Sequence, residues 1–177
     1  MASILIVYST TDGHTRRICE RLSAVIEEAG HQTSLRDIAT GPEPDPARFD
    51  RVLIGASIRY GKHSPRIVDF INRHQEALDA RPNAFFSVNL VARKPGKDEP
   101  HTNPYMRLFL KRIQWRPKEL AVFAGRLDYP RYGWLDRNMI RLIMWMTKGP
   151  TDPGTVAEFT DWDRVEAFGR RWAAADS

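Results

Sequence analysis

Near its start the chain runs Ile4-Leu5-Ile6-Val7-Tyr8, five consecutive apolar or aromatic residues rich in β-branched side chains. Such a strand has no polar face, so it belongs in the middle of a sheet that is covered on both sides. Four similar runs follow: a weak one at Thr33 to Leu35, then Arg51 to Ala56, Ala84 to Leu90 and Leu120 to Gly125. The intervals read as helices. Ile18, Leu22, Val25 and Ile26 recur at helical spacing up to Gly30, Pro65 opens a helix to His74, and Gly41 to Pro46 is a loop. The spacing predicts a last helix over Asp161 to Ala174, capped by Thr160 or Asp161, with Val165, Phe168 and Trp172 buried. Five short strands alternating with helices predict an α/β, doubly wound, five-stranded parallel sheet, and 177 residues suit one domain over 1–177.

Two stretches exceed that minimal pattern, about 93–117 between the fourth and fifth strands, and 129–149. From Arg93 to Lys148 there are 13 Lys/Arg and 5 Asp/Glu, a net charge of +8, which leaves the rest of the chain at −3. Each addition holds an amphipathic helix. In Tyr105 to Ile113, Arg107 and Lys111 share one edge while Tyr105, Met106, Phe109 and Ile113 share the other. In Leu135 to Lys148, Arg137, Arg141 and Lys148 form a narrow stripe beside a broad arc of Leu135, Met139, Leu142, Ile143, Trp145 and Met146. That pattern predicts interfacial helices on an anionic membrane surface, with the basic stripe toward the headgroups. No window approaches the ~20 apolar residues of a membrane span, and the N-terminus does not read as a signal peptide. The single cysteine, Cys19, excludes an internal disulfide and any multi-cysteine metal site; no metal is expected.

The turn after the first strand, Ser9-Thr10-Thr11-Asp12-Gly13-His14-Thr15, opens a helix with hydroxyls and a glycine. Helix N–H groups and hydroxyls in that position suit a phosphate, although strand–turn–helix junctions with many cap residues are common. No dinucleotide fingerprint and no Walker lysine are present. The turn resembles the flavodoxin phosphate loop, and that resemblance implies FMN held by Ser9, Thr10, Thr11, Asp12, Gly13, His14 and Thr15. Two residues depart from the pattern. Asp12 stands where a threonine is usual, so its carboxylate is expected to point outward, and Cys19 stands where alanine is common.

In doubly wound sheets ligands lie beyond the carboxyl ends of the strands. After the third strand comes Ser57-Ile58-Arg59-Tyr60-Gly61, and around the end of the fourth come Ser87, Asn89, Leu90 and Val91. The same resemblance makes these the loops that hold a flavin ring, with Tyr60 as the stacking candidate.

The blocks Ile54 to Gly61, Ser87 to Pro95, Gln114 to Pro117, Tyr129 to Tyr132 and Thr160 to Trp162 extend the resemblance over nearly the whole chain. Together they are similar to the quinone-dependent protoporphyrinogen IX dehydrogenases of bacterial haem biosynthesis. The family implies a flavodoxin-like fold with an insertion between strands four and five. It also implies FMN, protoporphyrinogen IX as substrate, menaquinone or ubiquinone as acceptor, and a peripheral place at the cytoplasmic face of the inner membrane. Six electrons leave the substrate, which means three turnovers of a two-electron flavin. The flavin does the chemistry, so no catalytic side chain is required; His14 and His63 are candidate proton relays. Arg59, Arg93 and Arg116 are candidates for the substrate propionates. The alternatives are a shuttle flavodoxin, an NAD(P)H–quinone reductase on the same fold, and a basic nucleic-acid-binding protein. The broad apolar arcs argue against nucleic acid. The choice of quinone and a homo-oligomer stay open at this point.

Overall fold

A computed structural model describes residues 1–175. Strands β1 (Ser3–Ser9) and β2 (Gln32–Asp37) are separated by α1 (His14–Glu28), and a loop leads from β2 to β3 (Arg51–Arg59). A two-residue strand β4 (Lys62–His63) leads into α2 (Pro65–Arg73) and α3 (Gln75–Asp79). Then come β5 (Asn83–Asn89), α4 (Pro104–Arg112), β6 (Glu119–Ala124) and β7 (Arg126–Asp128). The chain continues through α5 (Trp134–Met146), β8 (Val156–Glu158) and α6 (Trp162–Ala174).

The parallel sheet has the order β2-β1-β3-β5-β6, with α4 inserted between β5 and β6 as the sequence predicts. Strand alternation divides the core. Ile4, Ile6 and Tyr8 face α1 and α6, packing with Ile18, Leu22, Phe168 and Trp172. Leu5 and Val7 face the opposite layer, with Phe70, Phe85, Phe109 and Trp115. The central strands pack tightly: a Cβ on Gly55 of β3 would run into the ring of Phe86 on β5, so this position takes no side chain. Asp161 caps α6 by accepting from the Arg164 N–H at 3.2 Å, so the cap is Asp161 and Thr160 is free for another partner. Cys19 lies fully buried against this core, and burial pushes its thiol well above its ordinary range.

Two elements differ from the sequence reading. The third strand turns back on itself, with Ile58 opposite His63 and Arg59 opposite Lys62. Tyr60 and Gly61 form the two-residue turn at φ 54° and 76°, the left-handed geometry that a tight hairpin requires. Tyr60 holds this conformation without being glycine, a strain of about 1–2 kcal/mol. The other is α5, read from its sequence as an interfacial helix, which packs on the β7–β8 hairpin through Met144 and Ile140 against Leu127, Tyr129 and Phe159.

The orientation of α5 overturns the expected basic contact face. Arg137 donates to the carbonyls of Tyr129 and Tyr132, both at 3.3 Å, and Arg141 donates to the carbonyl of Thr151 at 2.9 Å. Loop carbonyls with acceptor capacity to spare draw the two guanidinium groups inward. The apolar arc is what faces out: Trp134, Leu135, Trp145 and Met146 are 76, 66, 71 and 69% exposed.

Candidate functional site: a cleft at the carboxyl ends of the strands

The phosphate-loop segment leaves β1 at Ser9 and enters α1 through Gly13, whose φ of 90° lets the chain reverse. Thr10 Oγ1 accepts from the Gly13 N–H at 2.9 Å and locks the turn. No side chain caps α1 from Gly13 and its first turn has no acidic residue, so the carboxylate that meets the positive end of the helix is that of Asp12 in the preceding loop. Asp12, expected to point outward, instead folds back to accept from the His14 N–H at 3.1 Å. Thr11 Oγ1 lies 3.4 Å from Ser57 Oγ and links this loop to the end of β3.

Ser9 Oγ and Thr15 Oγ1 are buried with no hydrogen-bond partner. Two orphaned hydroxyls beside a helix N-terminus call for an acceptor from a ligand, and a phosphate has the chemistry to satisfy them. The residues present therefore fit a phosphate-bearing cofactor.

His14 is nearly buried. Thr160 Oγ1 donates to the carbonyl of Ala124 at 2.7 Å, so at 2.6 Å it accepts from His14 Nε2, which must carry the proton. Nδ1 is then bare and unpartnered, 3.8 Å from Glu158. Burial holds the His14 pKa below its ordinary value despite the pull of Asp12 and Glu158. His14 thus acts as a strut between the loop and the end of β6.

From this loop a cleft runs along the ends of β3 and β5, enclosing about 960 Å³ of space that is partly open to solvent. Ser57, Ile58, Arg59, Tyr60 and Gly61 form one wall, and Asn89, Leu90 and Val91 form the floor. These are the two ring loops expected from sequence, brought together with Thr11, Asp12, His14 and Thr15. Residues that the sequence reading missed complete the cleft: Tyr105 from α4, Gly125, Arg126 and Tyr132 near the β7–β8 hairpin, and Asp136, Met139, Ile140 and Ile143 from α5. The broad apolar arc of α5 was the one sequence signal for this second wall.

Several expected residues lie elsewhere or are already committed. Ser87 is fully buried inside β5; its Oγ is 2.7 Å from His63 Nε2 and accepts from Asn89 Nδ2 at 3.0 Å. His63 sits beneath the ring loop between Phe85 and Phe109, away from the cleft lining, and burial lowers its pKa to about 3. A histidine that stays neutral inside the core is a poor proton relay, because it takes up a proton only in strong acid. Arg116 is outside the cleft and donates to the carbonyls of Ile113 and Trp115 at 2.7 and 3.0 Å. Arg93 lines the cleft, but its guanidinium is bound to the Leu90 carbonyl and to the carbonyl and Oγ1 of Thr147. Arg59 reaches across the opening to Asp136 at 3.2 Å and lies 5.0 Å above the Tyr60 ring.

Comparison with known proteins gives this arrangement a family. The flavodoxin-domain family matches residues 5–154. A protoporphyrinogen IX dehydrogenase [quinone] of Escherichia coli K12 is 48% identical over 96% of this chain and 93% of its own. One from Leishmania major is 43% identical over 96% of this chain and 74% of its own. Among solved structures, oxidised flavodoxin 1 from Bacillus cereus superposes with a TM-score of 0.57 at 15% identity, covering 99% of each chain. Fusobacterium nucleatum flavodoxin bound to flavin mononucleotide gives 0.52 at 11% identity, over 98% of this chain and 95% of its own. With its parallel sheet, its phosphate-loop turn and its matched sequence over nearly full length, the chain belongs to the flavodoxin-domain family, in the group of oxidoreductases that comprises the protoporphyrinogen IX dehydrogenases [quinone].

Proposed function

We propose that this chain oxidises protoporphyrinogen IX to protoporphyrin IX in haem biosynthesis, with FMN as its redox group and menaquinone or ubiquinone as acceptor. The observation that carries this reading is the 48% identity over 96% of the chain, which takes in both α4 and α5 as well as the sheet. FMN, when bound, supplies two-electron redox chemistry, so the six-electron oxidation proceeds in three turnovers.

The chain's own residues have three tasks in this reading. Ser9, Thr10 and Thr15, with the N–H groups of the first turn of α1 beyond His14, hold the phosphate. Tyr60 and the backbone of Ser57 to Gly61 and Asn89 to Val91 hold the ring, with Tyr60 offering its face at the hairpin tip. Met139, Ile140 and Ile143 exclude water from the opposite side of the cleft. Arg93 and Arg116 are committed to main-chain carbonyls, whereas Arg59 lies at the opening, paired with Asp136, and is the one sequence-nominated arginine we retain beside the substrate.

The chain acts as one flavodoxin-like domain at the cytoplasmic face of the inner membrane, bound peripherally through the outward face of α5. None of the described helices is long and apolar enough to cross a membrane. Four aromatic or aliphatic side chains more than three-fifths exposed on one helix are a poor surface for water and a good one for lipid. Such a contact puts the cleft wall next to the phase that holds a lipid-soluble quinone.

The reading is tested by anaerobic addition of protoporphyrinogen IX to the FMN-loaded protein, followed by a quinone analogue. Flavin absorbance is expected to bleach and then to recover. Bleaching by NADH, with none by the porphyrinogen, would overturn it. Mass spectrometry of the released cofactor is expected to give FMN and not FAD.

A further inference from the structure

Asp136 occupies the first turn of α5, and its side chain forms part of the cleft wall. The two carboxylate oxygens have different surroundings. Oδ2 accepts from Arg59 at 3.2 Å, and the same guanidinium rests over Tyr60, so the group is held in one orientation. Oδ1 is buried and has no hydrogen-bond partner. A buried, unpartnered carboxylate oxygen is unfavourable, and it is found where a ligand brings the missing donor. Its neighbours along the helix face are Met139, Ile140 and Ile143, none of which donates.

The ligand's chemistry then narrows the choice. A phosphate and a propionate are acceptors and would be repelled by this oxygen. A porphyrinogen carries its N–H donors at the centre of the macrocycle, one on each of its four pyrroles. The fully oxidised porphyrin keeps only two of them and presents bare nitrogen lone pairs at the other two. We propose that Asp136 Oδ1 accepts a hydrogen bond from the pyrrole N–H groups of the bound tetrapyrrole, and that it thereby favours the reduced ring over the oxidised product. This inference rests on the functional reading above. It assigns Asp136 as a substrate-binding and specificity-determining residue, with Arg59 as the residue that positions it.

The test uses the FMN-loaded protein with its flavin already reduced by dithionite under anaerobic conditions, so that it binds the substrate without oxidising it. Protoporphyrinogen IX and protoporphyrin IX are titrated separately, and bound ligand is measured by ultrafiltration. Wild type is expected to bind the porphyrinogen about tenfold or more tighter than the porphyrin, as for one charge-assisted hydrogen bond. Asp136→Asn is expected to lose most of that preference while its FMN affinity stays unchanged. Should Asp136→Asn lose its fold by circular dichroism, Asp136→Ser carries the same comparison.

Equal discrimination by wild type and variant overturns the proposal and leaves the functional reading standing. A loss of FMN affinity in the variant also overturns it, because the missing donor would then belong to the flavin. No binding of porphyrinogen by the wild type overturns the functional reading and the proposal together.

Discussion

Arg137 is bound to the main-chain carbonyl of Tyr129 at 3.3 Å, and this contact holds one edge of α5 against the protein while Trp134, Leu135, Trp145 and Met146 face solvent. A helix oriented the other way would meet a membrane by charge. In the membrane contact proposed above, this one would bind by hydrophobic burial, a contribution that salt does not screen.

Liposome flotation is accordingly expected to persist at high salt. Replacing Leu142 and Trp145 by Asp is expected to reduce vesicle binding more than tenfold, since burying each such side chain contributes about 1.5–3 kcal/mol. FMN affinity should not change in that variant. Arg137→Glu is expected to act differently, destabilising the fold by about 1–3 kcal/mol through lost hydrogen bonds to the carbonyls. Thermal melts beside flotation separate the two effects.

Thr15→Val removes one of the orphaned hydroxyls at the start of α1. FMN binding is expected to weaken by about 1.5–3 kcal/mol, the contribution of a hydrogen bond to a charged group. Because Thr15 Oγ1 has no partner within the protein, the flavin-free variant should melt no lower than flavin-free wild type. Fluorescence titration and paired melts check both halves, and unchanged FMN affinity would remove Thr15 from the cradle.

Asp12 places a carboxylate in the same loop, where it accepts from the His14 N–H. Asp12→Asn keeps an oxygen for that N–H and removes a negative charge beside the phosphate. FMN affinity is expected to rise by a few-fold, and by less at high salt, measured by the same titration.

His63 is held neutral by burial, with a folded pKa of about 3 against 6.5 for the ordinary group. The unfolded chain therefore binds the extra proton first as pH falls. The stability that His63 confers is fully present above about pH 6.5 and is lost progressively toward pH 3, at up to about 1.4 kcal/mol per pH unit. His14, whose pKa is also lowered by burial, contributes in the same direction. His63→Gln, which leaves an amide to bond Ser87, is expected to flatten the acid limb of a urea-midpoint profile. An unaltered limb would show that His63 titrates normally.

The parallel sheet was readable from the chain because buried strands and amphipathic helices leave local patterns. The runs at Ile4, Arg51, Ala84 and Leu120 each became a strand of the expected sheet. The loop at Ser9 to Thr15 was readable for the same reason, since its hydroxyls and glycine act within a few residues of each other. What escaped depends on distant partners. The Tyr60-Gly61 turn lacks the Asn-Gly or Asp-Gly pair that marks such hairpins, and Tyr60 adopts a conformation its type seldom takes. The inward turn of Arg137 and Arg141 follows from loop carbonyls at Tyr129, Tyr132 and Thr151 that accept from them, which no periodicity reveals. Asp136 escaped because an isolated acid on a basic helix looks like an ordinary surface charge until Arg59 is found across the opening.

The burial of Cys19 gives the molecule an internal clock. Its thiol is sealed behind α1 and raised well above its ordinary pKa, so an alkylating reagent finds no thiolate in the folded protein. Modification must wait for α1 to leave the sheet, and α1 begins at the loop assigned to the phosphate. The alkylation rate of this one sulfur, followed by mass spectrometry, therefore measures how often the helix opens. Occupancy of the loop by a phosphate-bearing ligand is expected to slow that rate in proportion to saturation. A residue with no part in electron transfer thus becomes a label-free gauge of cofactor loading.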